Sequence, residues 1–581
     1  MDLHLISATI LIHILIFIEH VQFITAFNPV VSTEKGKVQG YRMDNNGADV
    51  DIFFGIPFAK PPLGDMRFKA PVPNDPWKGT LNATTKPNAC MQGIDKYFNF
   101  SGSDMWNPNT KIDEDCLYLN VWVPRTNPPF QNKAVMVWIF GGGFYSGSSA
   151  LDVYDAHHLA TENDVIVVSL QYRVGALGFL AMGHPEAPGN AGLLDQRMAL
   201  EWVQRNIHHF GGSARNVTIF GESAGAVSVG LHLVSPLSRG LFDRAILQSG
   251  AAQNVWGTMP SSEAERRSRK LADILKCDGK AEADVLIDCL RRVPPEDFPK
   301  YEFLVSSGII QYPFVPVVDG NFLVETPAES LARGNFKRTP LLLGSNKNEG
   351  IWFIMYEIPF FDIKLPGLIT SDQFKSTIGK LFEFYPHFPH KLNDFGQAAV
   401  MFQYTHWQDP NNQSMNRYMV DQAVGDLYFV CYVQEMSKYY AQAGMDVYSY
   451  LFNHRSSVSE WPLWAGVMHA DEIPFIFGSP LNTHEKYLTS EKELSRKMMR
   501  YWTNFAKTGD PNRGPNEISL NEWPPFKPRT QDYLILSTDH LHQADKSQAV
   551  KQGYKAQECA FWQNYLPHLV AGTGKLIFPY P

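Results

Sequence analysis

One serine in the chain sits in a pattern that could make it a nucleophile. The stretch VTIFGESAGAVSVG at 217–230 contains G-x-S-x-G, read as Gly221, Glu222, Ser223, Ala224 and Gly225. A β-rich run precedes it and a helix-compatible run follows. In that context the serine occupies a strained strand-to-helix turn that lifts its hydroxyl out at the end of a sheet. The flanking glycines are needed because side chains there would collide with strand and helix. A serine hydroxyl attacks only when a base takes its proton, and the oxyanion it creates needs hydrogen-bond donors. The run FGGGFYSG at 140–147 lies upstream after another apolar stretch, where such donors belong. The N–H groups of Gly142 and Gly143, with that of Ala224 just after the serine, supply three. An acid and then a histidine should follow in chain order. LLLGSNKNEG at 341–350 offers Glu349, and WAGVMHADEIPF at 464–475 offers His469. With 18 histidines in the chain, spacing alone leaves that pair as candidates.

These residues need a framework that brings distant segments together. Short apolar runs recur at 134–140, 165–170, 217–220, 244–249, 339–344, 446–452 and 533–537. They are continuous Val/Ile/Leu/Phe runs rather than alternating ones, which suits strands covered on both faces. Between them lie helical patterns. Leu194, Met198 and Trp202 share a face over 192–210, stopped by Gly211 and Gly212. Over 490–508, Ser490 and Glu493 read as a capping box and Gly509 as the stop. The alternation predicts an α/β fold with a large, mostly parallel sheet flanked by helices.

The chain has 581 residues, yet no linker, repeat or low-complexity tract divides it. We expect a single domain over 27–581. Before it, the apolar stretch at 5–18 and a small-residue site ending at Ala26 read as a secretory signal, although Asp2 and His4 replace the usual basic residues. Six cysteines in an exported chain point to disulfides, and sequence alone leaves several pairings open. Cys90 with Cys116 and Cys277 with Cys289 are the natural close pairs, leaving Cys431 and Cys559. Sequons occur at Asn82, Asn99, Asn216 and Asn412. Asn216 opens an apolar run and is a poor acceptor. The net charge of -8, or -6 without residues 1–26, argues against nucleic acid. No stretch after residue 26 is apolar enough to span a membrane.

The chain also resembles the cholinesterases over roughly residues 30–570. The resemblance rests on long runs: SGSDMWNPN, EDCLYLNVWVP, VMVWIFGGGFYSGSSALDVYD, APGNAGLLDQRMALEWVQ, VTIFGESAG, RAILQSG, FVPVVDG, NKNEG, LFNHR and FAKTGDPN. It implies an α/β-hydrolase fold with a deep active-site gorge, and Ser223, Glu349 and His469 as a triad. Gly142, Gly143 and Ala224 fall on the oxyanion donors. The six cysteines fall on three family disulfides, in the pairing guessed above. Trp106 falls on the ring that binds the quaternary ammonium of choline, and Glu222 on the acidic residue beside it. A trimethylammonium cannot donate a hydrogen bond, whereas an aromatic face attracts it through the ring quadrupole and covers its methyls. That contact is worth about 2 kcal/mol when desolvated. By the same resemblance Trp352 also meets the cation, and Phe353 and Trp256 form the acyl-side wall. Tyr145 and Tyr356 line the gorge waist, Asp95 lies near the rim, and Ser249 stands behind the triad.

Some positions depart from the family pattern. Ile310 stands where phenylalanine is usual in the acyl pocket, while Tyr312 keeps the second aromatic. A smaller wall should admit butyryl as well as acetyl esters. At the rim, Gly93 stands for a tyrosine and Tyr301 for a tryptophan. Asp471 replaces an aromatic two residues after His469. The end GTGKLIFPYP carries neither a Trp-rich, cysteine-bearing tail nor a lipid-anchor signal, so a secreted monomer is expected. The reading as a whole is a choline esterase that works through an acyl-serine, with no metal or cofactor. Its rivals are a carboxylesterase for neutral esters and an inactive adhesion module on the same fold.

Overall fold

The computed structural model describes residues 28–45, 47–126, 132–383, 392–514, 521–541 and 546–573. The expected leader at 1–26 and the last residues of the chain lie outside these. The seven continuous apolar runs fall in an 11-stranded sheet, which has four more strands that they do not mark. In chain order its strands are β1 (Tyr41–Asn45), β2 (Ala48–Pro57), β3 (Tyr118–Pro124), β4 (Lys133–Ile139), β5 (Ile166–Leu170) and β6 (Gly212–Glu222). There follow β7 (Arg244–Gln248), β8 (Leu341–Asn346), β9 (Val447–Phe452), β10 (Asp532–Leu536) and β11 (Val550–Gln552). The spatial order is β11-β10-β9-β8-β7-β6-β4-β5-β3-β2-β1. Neighbours from β5 to β10 run parallel, and antiparallel pairs finish both edges. Every residue of β4, β5, β8 and β9 is buried, as strands with helices on both faces must be.

Four helices matter for the site: α1 (Ala191–Asn206), α2 (Ala224–Val234), α3 (Gln413–Gly425) and α4 (Thr489–Thr508). Helix α1 tightens into a 3-10 turn at Ile207–Phe210 and ends at Gly211 with φ 86°, close to expectation. The start of α4 differs. The Ser490–Glu493 box does not form; instead Glu491 accepts the Leu488 N–H at 2.7 Å. The reason is tertiary. Glu491 is fully buried and also faces His454 at 3.0 Å, so the helix begins where that carboxylate is held.

All six cysteines pair as the resemblance implies: Cys90–Cys116, Cys277–Cys289 and Cys431–Cys559. The last closes a separation of 128 residues, the longest of the three and so the one that most restricts the unfolded chain. Among the described residues no helix is long and apolar enough to cross a membrane.

Candidate active site

Ser223 sits between the end of β6 and the start of α2, with φ 55° and ψ -123°. A non-glycine residue there is strained, at roughly 1–3 kcal/mol. The turn is this tight because the backbones touch. A Cβ on Gly225 would lie 2.0 Å from the Ile139 carbonyl oxygen, and one on Gly221 would lie 2.6 Å from Gly225. The Ser223 N–H donates to the Gln248 carbonyl at 2.8 Å, which pins the elbow to β7. Ala224 opens α2, so its N–H has no acceptor within the helix. The glycine loop presses against the same turn: a Cβ on Gly141 would come 2.7 Å from Glu222 and 3.0 Å from the Ser223 Cβ. Gly142 and Gly143 have φ of 103° and 59°, conformations open to glycine.

Glu349 follows β8, and His469 lies in the loop before the short helix Ile473–Phe477. The structure brings them together, His469 Nδ1 lying 2.6 Å from Glu349 Oε2. The other Glu349 oxygen accepts from the Ser249 hydroxyl and the Asn346 N–H, each at 2.6 Å. That fixes the carboxylate and presents Nε2 toward the elbow. Nε2 lies 3.0 Å from Glu222 Oε1, but neither atom has an aligned hydrogen-bond partner. No hydrogen bond joins the Ser223 hydroxyl to the ring. Such contacts in unliganded sites often close only around substrate. Burial lowers the pKa of His469, but the carboxylates of Glu222 and Glu349 outweigh it and hold the imidazole above its ordinary range. Burial raises Glu222, so protons here belong to the cluster rather than to one side chain.

Three further acids surround the pair, and two of them, Glu472 and Asp421, carry no obvious sequence signal. Glu472 accepts from Gln248 at 2.9 Å and Asn346 at 2.7 Å, and burial pushes it up to about 8. Asp471 accepts the Met468 N–H at 2.7 Å and burial pushes it up to about 7. The aromatic of the family pattern is thus replaced by an acid that closes the histidine turn. On α3, Asp421 accepts from Asn348 Nδ2 at 2.7 Å and Gly350 N–H at 3.0 Å. Asn348 in turn accepts the Val467 N–H at 3.0 Å. One side chain thereby braces both the Glu349 and the His469 loops.

Aromatic rings continue outward from this cluster. Phe353 packs edge-on to His469 with centroids 5.1 Å apart. Phe429, unnoticed in the sequence, lies 4.6 Å from the same ring and 5.6 Å from Trp256. It belongs to a π-helical turn, Asp426–Val430, a distortion often found at functional sites. Trp256 meets Tyr312 edge-on at 5.7 Å, and Tyr312 lies 5.5 Å from Tyr145. Trp352 meets Trp461, also unnoticed, at 5.0 Å and Tyr356 at 5.8 Å. The Tyr356 hydroxyl donates to Asp95. Trp106 is half-buried in the Cys90–Cys116 loop, its ring 6.5 Å from Tyr154. Ile310 is buried with φ 55°. Tyr301 stands apart: its ring carries the Lys300 ammonium at 4.6 Å and stacks on none of the others. Gly93 opens on empty space. Of the sequons, Asn82 and Asn99 are exposed, and Asn412 caps α3 through its side-chain oxygen. Asn216 is held by Arg244 and faces the Lys507 carbonyl.

A parallel sheet carrying a strained serine elbow, with a carboxylate–histidine pair beside it, defines a serine hydrolase. The chain belongs to the carboxylesterase family, whose model matches residues 28–562. It is 47% identical to the acetylcholinesterase of Electrophorus electricus over 579 residues, covering 94% of this chain and 89% of that one. It is 46% identical to the acetylcholinesterase of Bungarus fasciatus and 45% identical to that of Danio rerio, again over 94% of this chain and 88% and 90% of theirs.

Proposed function

We propose that this serine hydrolase cleaves choline esters, acetylcholine first and butyrylcholine with some tolerance, through an acyl-serine. The observation that carries the reading is the Glu349–His469 contact at 2.6 Å beside the strained Ser223 turn. His469 takes the Ser223 proton as the hydroxyl attacks the ester carbonyl, and Glu349 steadies the imidazolium that forms. The N–H groups of Gly142, Gly143 and Ala224 hold the oxyanion. His469 then returns the proton to the leaving choline, and water repeats the cycle to release the acid.

Choline is favoured over neutral alcohols by charge and by rings. Glu222 and Glu349 flank His469, so the site's formal charge attracts a cation. Trp106 and Trp352 offer faces for the trimethylammonium. Tyr145 and Tyr356 line the approach, with Asp95 and Tyr301 at the rim and Ile310 and Tyr312 on the acyl side. Three disulfides and sequons at Asn82, Asn99 and Asn412 fit a secreted, glycosylated chain. Ser223→Ala should lower kcat by at least about a thousandfold while a quaternary ammonium inhibitor still binds. Turnover within about tenfold of wild type would remove Ser223 as nucleophile.

A further inference from the structure

The segment 302–313 runs from the rim to the acyl wall and carries Ile310 and Tyr312. Ile310 is β-branched and sits at φ 55°, a conformation that persists only where surroundings enforce it. Both ends of the segment are fastened by polar side chains, a carboxyl and a guanidinium. At one end Glu302, 2% exposed, accepts the Ala176 N–H at 2.8 Å. A Cβ on Gly175 would lie 2.5 Å from the same carboxylate oxygen, so the carboxyl rests directly on that backbone. The Gly175 N–H donates to the Phe144 carbonyl at 2.7 Å, and Phe144 directly follows Gly143. At the other end Arg267 donates to the carbonyls of Tyr312 at 2.8 Å and Pro313 at 3.2 Å. Arg267 is itself held by Glu263 at 2.7 Å.

The two fastenings tie the segment to the glycine loop. A Cβ on Gly143 would come 2.7 Å from the Tyr312 ring, so any slip of the segment changes the space between that ring and the oxyanion donors. Among the described residues Glu302 has no ion-pair partner. A buried carboxyl without a cation is a costly way to fill space, and only its hydrogen bond to Ala176 offsets that cost. We propose that Glu302 and Arg267 are positioning residues that clamp the 302–313 segment and thereby set the length of acyl chain the site accepts. This rests on the reading of Ser223 as nucleophile and of Ile310 and Tyr312 as acyl wall.

The test compares kcat/KM for p-nitrophenyl acetate and p-nitrophenyl butyrate in wild type, Glu302→Ala, Glu302→Asp, Glu302→Gln and Arg267→Met. Releasing either end should raise the butyrate-to-acetate ratio about tenfold, the low end of what one methylene is worth in an apolar pocket, while Glu302→Gln, which keeps an acceptor for Ala176, stays within about twofold. Glu302→Asp shortens the reach without losing the carboxyl and should shift the ratio the same way, which covers poor folding of the alanine variant. Ratios within about twofold of wild type in folded Glu302→Ala or Glu302→Asp and in Arg267→Met would overturn the clamp. Neutral esters separate this from the choline reading. A wild type that cleaves them but not acetylcholine refutes the cation site alone, whereas activity surviving in Ser223→Ala refutes the nucleophile.

Discussion

His469 is the residue on which the chemistry turns, and two carboxylates reach it from opposite sides. Glu349 holds Nδ1 and Glu222 stands 3.0 Å from Nε2. Burial favours the neutral ring, but the two acids together favour the charged one. Glu222→Gln removes one of them without emptying the space. The imidazole pKa then falls, and the acid limb of kcat/KM moves to lower pH, by about one to three units. A pH–rate profile of the variant checks this; an unmoved limb, or one displaced to higher pH, contradicts the assignment of His469 as base. The serine elbow was legible in the sequence because its constraints are local, whereas Glu349, His469 and the rings were singled out only by the resemblance. The Gly221 and Gly225 positions flank Ser223 within one turn, and each glycine answers a backbone contact seen in the structure. Phe429 and Trp461 were not legible. Nothing in their neighbours marks them, and they join the site only when α3's continuation and the 460–466 loop fold onto it.

At the scale of elements, the histidine and acid loops depend on one side chain of α3. Asp421 receives the Asn348 and Gly350 donors and also the Gln422 amide at 2.9 Å. Only an acceptor suits that place. Asn at 421 would set a buried N–H₂ against donors, leaving polar groups unpaired. Asp421→Asn should therefore lower kcat at least about tenfold, since small displacements of reacting groups are costly. Binding of a quaternary ammonium inhibitor should fall less than kcat, because Trp106 lies in the separate Cys90–Cys116 loop, although Trp352 follows Gly350 on the helix Ile351–Glu357. Steady-state kinetics with an inhibitor titration separates the two. The seven strands of the parallel block, β4 to β10, were readable from continuous apolar runs because a parallel interior leaves no polar face to break them, whereas the four antiparallel edge strands were not. The start of α4 was misread for the opposite reason. Its capping signal was local, whereas the carboxylate that decides it, Glu491, answers to His454 and Ser457.

Across the whole molecule, buried acids make stability depend on pH. Burial pushes Glu302 and Glu472 up to about 8 and Asp471 up to about 7. The folded state thus keeps protons that the unfolded chain gives up above ordinary carboxylate values. Their stabilising contribution is complete below the unfolded pKa and is lost as pH rises toward the folded one. His158 and His232, lowered to about 4 and about 3 by burial, oppose this only up to their unfolded value near 6.5. Between about 6.5 and 8, then, stability should fall with rising pH, by up to about 1.4 kcal/mol per unit for each retained proton. Denaturant unfolding at the two pH values measures it. The Glu302→Gln, Glu472→Gln double variant should make the slope shallower, with His469 and Asp471 keeping part of it, and a stability that rises over this window would contradict it.

Comparing acetylcholine, butyrylcholine and the neutral carbon isostere of acetylcholine, in wild type and Trp106→Ala, tests the central claim most directly. We expect wild type to cleave acetylcholine fastest and butyrylcholine measurably. Trp106→Ala should lose roughly thirtyfold on the choline esters, matching about 2 kcal/mol of cation–π attraction, and far less on the isostere. Equal wild-type rates on acetylcholine and its isostere, with Trp106→Ala weakening both alike, would contradict the account and leave a carboxylesterase of neutral esters.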